Sequence, residues 1–141
     1  MKVSENLRGF QPHQFGRVTN MAKVIACDDS LAELKLLESV LSAAGHQIIS
    51  CVNGDGVEAL ASSEQPDLIL MDVVMPGRNG YEILRKLRRD ESTKNIPICI
   101  LSSKQEPTDI EWGKRQGAND YLTKPYTPDA LLGVVKNLTS K

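Results

Sequence analysis

The chain has 141 residues, 40% of them hydrophobic and 25% charged, with a formal net charge of -1. That is apolar material for one domain with a single core. The charge balance gives no electrostatic case for nucleic acid or a membrane surface as partner.

No apolar stretch approaches the roughly 18 residues of a spanning helix, and the first residues lack the apolar core of a secretion signal. Cys27, Cys51 and Cys99 sit inside apolar runs without metal-type spacing. They read as reduced core residues of a cytoplasmic protein.

Residues 1–20 are polar, lack periodicity and end just before Met21. They read as a flexible extension, or as the product of a start upstream of Met21. The other reading is a small docking arm carried by Phe10 and Phe15. From Met21 to Lys141 the pattern alternates, and this stretch is taken as the domain.

Residues 23–27 (KVIAC) form a short apolar run. Residues 30–45 place Leu31, Leu34, Leu37, Val40 and Leu41 at helical spacing, with Ser30 and Glu33 as a capping box and Gly45 as the stop. Residues 46–52 read as a second strand and 55–63 as a short helix. Residues 67–72 (DLILMD) are a third strand and 80–90 an amphipathic helix. Residues 96–102 are a fourth strand and 107–117 a helix ending at Gly117. Residues 120–123 are a short fifth strand. Residues 127–138 close the chain as a helix, with Thr127 as N-cap and Pro128 in the first turn.

Five strands alternating with five helices predict an α/β fold, a doubly wound parallel sheet covered on both faces. The strands read as continuous apolar runs, as doubly buried strands should. In such sheets ligands bind beyond the carboxyl ends of the strands.

Those ends carry Asp28 and Asp29 after the first strand, Asp72 at the third, Ser102 and Ser103 at the fourth, and Lys124-Pro125 after the fifth. Acids from two strands brought together repel, and burial raises their pKa values. A cation must offset them. Lys124 supplies one charge, and an oxygen-ligated divalent ion such as Mg²⁺ is the expected second, since no His or Cys lies at hand to favour zinc. A carboxylate beside Mg²⁺ and an ammonium group is poised as a nucleophile toward phosphorus. Asp72, alone at the tip of a rigid strand, is the expected phosphoacceptor.

The residues CDDS (27–30), DLILMDVVMPG (67–77), ILSS (100–103) and YLTKP (121–125) resemble a response-regulator receiver domain of the chemotaxis type. The resemblance runs from about Ala22 to the end. It implies a flavodoxin-like (βα)5 fold with strand order 2-1-3-4-5. It implies that Asp29, Asp72 and the backbone carbonyl of Val74 ligate Mg²⁺, with Asp28 acting through water. Asp72 takes the phosphoryl group, Ser102 hydrogen-bonds it and Lys124 pairs with it. The Lys124-Pro125 bond is expected to be cis. Tyr121 matches the aromatic switch residue that swings inward with phosphorylation.

Residues 91–125 further resemble the single-domain regulators of type IV pilus and phototaxis systems. The resemblance implies a chemotaxis-type histidine kinase as phosphodonor. The product is a phosphoacceptor that assists its own phosphorylation and dephosphorylation, not a classical enzyme. The chain ends soon after the last helix, so output is expected through a protein target. The surface expected to meet it is the fourth helix, fifth strand and fifth helix, in motility signalling.

Other readings stand beside this one. A phosphatase working through an aspartyl phosphate usually carries a second acid two residues after the nucleophile, where this chain has Val74. A phosphorylation-independent binding module and a phosphate sink for another regulator are the remaining alternatives. Arg85, Lys86, Arg88 and Arg89 read as the wet face of a helix. Trp112 reads equally as a partial core anchor on the fourth helix or a partner contact.

Overall fold

A computed structural model of the chain describes residues 21–75 and 78–140; the N-terminal extension read at 1–20 lies outside them. The main sheet is built from β1 (Lys23–Cys27), β2 (Gln47–Cys51), β3 (Leu68–Asp72), β4 (Ile98–Ser102) and β5 (Asp120–Thr123). All are parallel, in the order β2-β1-β3-β4-β5. The helices are α1 (Leu31–Ala43), α2 (Val57–Glu64), α3 (Gly80–Arg89), α4 (Pro107–Arg115) and α5 (Pro128–Thr139). Val74–Met75 and Arg78–Asn79 add a short antiparallel ladder between β3 and α3.

Alternation along each strand divides the core into two layers. Ile25, Ile69, Met71, Ile98 and Ile100 face one side and pack with Val57, Ala61, Ile83, Leu84 and Leu87 of α2 and α3. Val24, Ala26, Leu68, Leu70 and Leu101 face the other and pack with Leu34, Leu37, Leu41, Leu131 and Val135 of α1 and α5. Each buried Leu or Ile contributes roughly 1.5–3 kcal/mol.

The expectation of doubly buried strands holds for the three central ones only. β3 and β4 are buried throughout, whereas β2 and β5 border the sheet and are partly exposed. Cys27 and Cys99 are buried as expected, but Cys51 on the edge strand is half-buried; all three are free thiols.

Helix ends follow their residues. Thr127 Oγ1 accepts the Ala130 N–H at 3.0 Å, and Asn79 Oδ1 accepts the Tyr81 N–H at 2.8 Å. The capping box expected at Ser30 is only half made. Ser30 Oγ accepts from the Glu33 N–H, but the Ser30 N–H donates to Asp28 Oδ1 at 3.0 Å. The Glu33 carboxylate is drawn away to Lys124. Gly80 opens α3 where a Cβ would stand 2.6 Å from Val73 Cα, so only glycine lets this helix start against the end of β3.

Candidate functional site

Register assembles the site. Cys27 pairs with Met71, so the next residues, Asp28 and Asp72, leave β1 and β3 side by side. Ser102 ends β4 and pairs with Thr123, which delivers Lys124 to the same edge. The Lys124 N–H donates to the Ser102 carbonyl at 2.7 Å, and the Lys124-Pro125 peptide is cis.

Asp28, Asp29 and Asp72 each place a carboxylate oxygen within 4.8 Å of the others. Asp29 is exposed, and the side chains of Asp28 and Asp72 retain only 1% and 10% of their accessible surface. Lys124 Nζ lies 2.9 Å from Asp28 Oδ2 and 3.2 Å from Asp72 Oδ2, and also donates to Glu33 Oε1. One ammonium thus serves three carboxylates from three elements.

Electrostatics follow from this geometry. Burial pushes the Asp72 carboxyl above the usual carboxylate range, against the pull of the Val74 N–H, 3.0 Å from Oδ1, and of Lys124; Asp28 adds to the rise. Burial works against the charge of Lys124. Its hydrogen bonds to Glu33 and Asp28 and the field of Asp72 win, so it holds its proton more tightly than an ordinary lysine. Three carboxylates around one ammonium leave an excess of negative charge. The oxygen-only donor set fits a hard divalent cation such as Mg²⁺, not zinc.

Ser102 is buried, and its Oγ accepts the Lys104 N–H at 3.1 Å. Ser103 is exposed. The Tyr121 ring is inward and buried, with its hydroxyl donating to the Lys104 carbonyl at 2.8 Å. Val74 is exposed beside Asp72, and Trp112 on α4 is half-exposed, so it is at most a partial anchor and presents the rest of its ring to solvent.

Sequence reasoning missed three residues. Glu33, which local sequence places in a capping box, pairs instead with Lys124. Gly113 gives the Tyr121 ring its place: a Cβ there would meet Tyr121 Cδ2 and Ile100 Cδ1, both at 2.9 Å. Arg88, read as part of a wet face, turns inward instead. It donates to the Gly117, Lys94 and Ile96 carbonyls at 2.8, 3.1 and 2.8 Å and to Asn119 Oδ1 at 2.8 Å. Asn119 Oδ1 also accepts the Ile98 N–H at 2.8 Å, tying the entry of β5 to that of β4. The only local signal for this was the glycine at 117.

A five-stranded parallel sheet in this order, with acids at two strand tips and a lysine after a third, is the arrangement of a receiver-type signalling domain. The family described as the response regulator receiver domain matches residues 24–136, and the chain belongs to it. It is a receiver-domain response regulator of a two-component system.

It is 46% identical over 115 residues to protein PilH of Pseudomonas aeruginosa, covering 82% of this chain and 95% of PilH. It is 36% identical to the response regulator PleD of Caulobacter vibrioides over 84% of this chain but only 26% of PleD, a much longer protein.

Among solved structures, chemotaxis protein CheY4 of Vibrio cholerae superposes with a TM-score of 0.78 at 32% identity, over 84% of this chain and 98% of that one. The receiver domain of a sensor histidine kinase from Pseudomonas aeruginosa superposes with a TM-score of 0.79 at 25% identity, over 86% and 99%. That structure carries a magnesium ion coordinated in its active-site cleft. Receiver domains are signalling modules that bind Mg²⁺ at an acidic site and interact with histidine kinases. Among the described residues no helix is long and apolar enough to cross a membrane.

Proposed function

We propose that this chain is a phosphorylation switch in which Asp72 accepts a phosphoryl group from a chemotaxis-type histidine kinase. The observation that carries this reading is the shared ammonium. Lys124 Nζ holds Asp72 Oδ2 and Asp28 Oδ2 together at the strand tips, with Asp29 beside them.

Asp29, Asp72 and the Val74 carbonyl would hold Mg²⁺ directly, with Asp28 acting through water. The ion, when bound, neutralises the oxygens of the transferring group. Transfer breaks the P–N bond of a phosphohistidine and forms a P–O bond to Asp72. The chain's own residues receive the product: Lys124 pairs with the new phosphoryl oxygens, and the Ser102 hydroxyl, whose Oγ accepts the Lys104 N–H, donates its own proton to them.

Phosphorylation adds about -1.5 to -2 charges and strong acceptors at this point. Ser102 and Tyr121 both contact Lys104, so a change at Ser102 reaches Tyr121 through one residue. The readout is the surface of α4, β5 and α5, where Trp112 is exposed, and the target is a protein in motility signalling. The setting is cytoplasmic, with residues 1–20 an appendage to a domain over 21–141. The population of a pre-existing state shifts; no new fold forms.

The test is amide NMR with Mg²⁺, then with beryllofluoride as phosphoryl mimic, on wild type and Asp72→Asn. Shifts at Ser102, Tyr121 and α4 that need Asp72 support the switch. Metal binding with no response to the mimic overturns it and leaves a passive binding module.

A further inference from the structure

We infer that Glu33 is a competitor for Lys124 that sets how strongly this site holds a phosphoryl group. The inference rests on the phosphoacceptor reading above and goes beyond it, since neither the strand-tip motifs nor the metal trio includes this residue.

An ammonium has three protons to donate and no more. Lys124 spends them on Asp28, Asp72 and Glu33. A phosphoryl group on Asp72 inherits the proton that Asp72 now accepts, and its three oxygens gain a second from Lys124 only if Asp28 or Glu33 lets go.

The three are not equal. Asp28 is sealed at the end of β1 with 1% of its side chain exposed, and its Oδ1 also receives the Ser30 N–H. Releasing it strands a buried charge. Asp72 is the reacting residue. Glu33 sits in the first turn of α1 with 44% of its side chain exposed. Its carboxylate can turn into water at the least cost. The incoming phosphoryl charge also repels it. Glu33 is therefore the acceptor that is displaced, and its hold on Lys124 subtracts from the hold on the phosphoryl group.

Two effects of Glu33 are separable. Its contact with Lys124 is lost if the side chain is shortened by one methylene. Its charge beside the acidic trio is lost only on neutralisation. Glu33→Asp removes the first and keeps the second; Glu33→Gln removes the charge as well.

The experiment titrates beryllofluoride into each protein at saturating Mg²⁺, following the Tyr121 and Ser102 amides, and titrates Mg²⁺ alone in parallel. Glu33→Gln is expected to bind the mimic about 3- to 10-fold more tightly than wild type, with the gain shrinking at high salt. Glu33→Asp should show part of that gain. Mg²⁺ alone should bind slightly more weakly to Glu33→Gln, since a nearby negative charge is gone. Unchanged or weaker mimic binding in both variants overturns the inference and leaves the phosphoacceptor reading standing. A wild type that binds Mg²⁺ and ignores the mimic overturns the phosphoacceptor reading itself.

Discussion

The hydroxyl of Tyr121 reaches the carbonyl oxygen of Lys104 at 2.8 Å, across the gap between β5 and the segment after β4. The same residue's N–H is held by Ser102 Oγ at 3.1 Å. Lys104 thus carries one bond from the site and one from the aromatic residue. The ring lies inward because α4 presents Gly113 to it, with no Cβ to push it out.

Gly113→Ala should expel that ring. The new Cβ would stand 2.9 Å from both Tyr121 Cδ2 and Ile100 Cδ1. Overpacking of this kind costs roughly 1–3 kcal/mol. Thermal melts should record the loss, and the Tyr121 ring resonances should move toward solvent values. Unchanged ring shifts would show that α4 gives way instead.

Asp72→Asn should not weaken the metal-free fold. Burial raises the Asp72 carboxyl above its ordinary value, so the folded chain binds that proton more tightly than the unfolded chain. Above both pKa values the ionised group therefore subtracts stability. The loss is recovered as pH falls through the folded pKa. At pH 7.5 without metal the variant's Tm should equal or exceed that of wild type, with the gap closing toward acid pH. With Mg²⁺ the order should reverse, because the ion stabilises the form that binds it. A lower metal-free Tm for the variant at pH 7.5 would contradict this account.

Lys124→Ala removes the cation from a buried carboxylate. Asp28 keeps only the Ser30 N–H as a donor to its side chain among the described contacts. Breaking a buried pair from one side costs about 3 kcal/mol, readable by urea denaturation. Mg²⁺ should still bind in calorimetry, since the three carboxylates remain. Beryllofluoride should no longer shift Tyr121; an unchanged Tyr121 response would remove Lys124 from the coupling.

Arg88→Ala should cost about 2–3 kcal/mol, since four acceptors lose a charged donor. Arg88→Lys should recover little, because a single ammonium cannot span the fork. Amide exchange should quicken first at Asn119 and Ile98, which Arg88 joins. Protection there equal to wild type would return Arg88 to the wet face.

Local pattern made most of the fold legible. Runs such as Leu68–Met71 are too short for helices and too apolar for loops, and Leu34, Leu37 and Leu41 recur at helical spacing. Strand alternated with helix, so the sheet had to be parallel, and parallel strands bring their carboxyl ends to one edge. The same rule brings Asp28, Asp72, Ser102 and Lys124 to one edge.

What the sequence by itself determined was therefore the order of elements and the edge on which the acids, the hydroxyl and the lysine meet. The tertiary structure alone decided which side chains pair. Glu33 forgoes its cap for Lys124, 91 positions away, and Arg88 turns from solvent to Asn119, 31 positions away. Gly113 yields its space to Tyr121. It also decided that β2 and β5, the border strands, are only partly buried. Periodicity reports which face of an element is apolar. It carries no record of which polar group from a distant element waits there, because that depends on helix placement across the sheet.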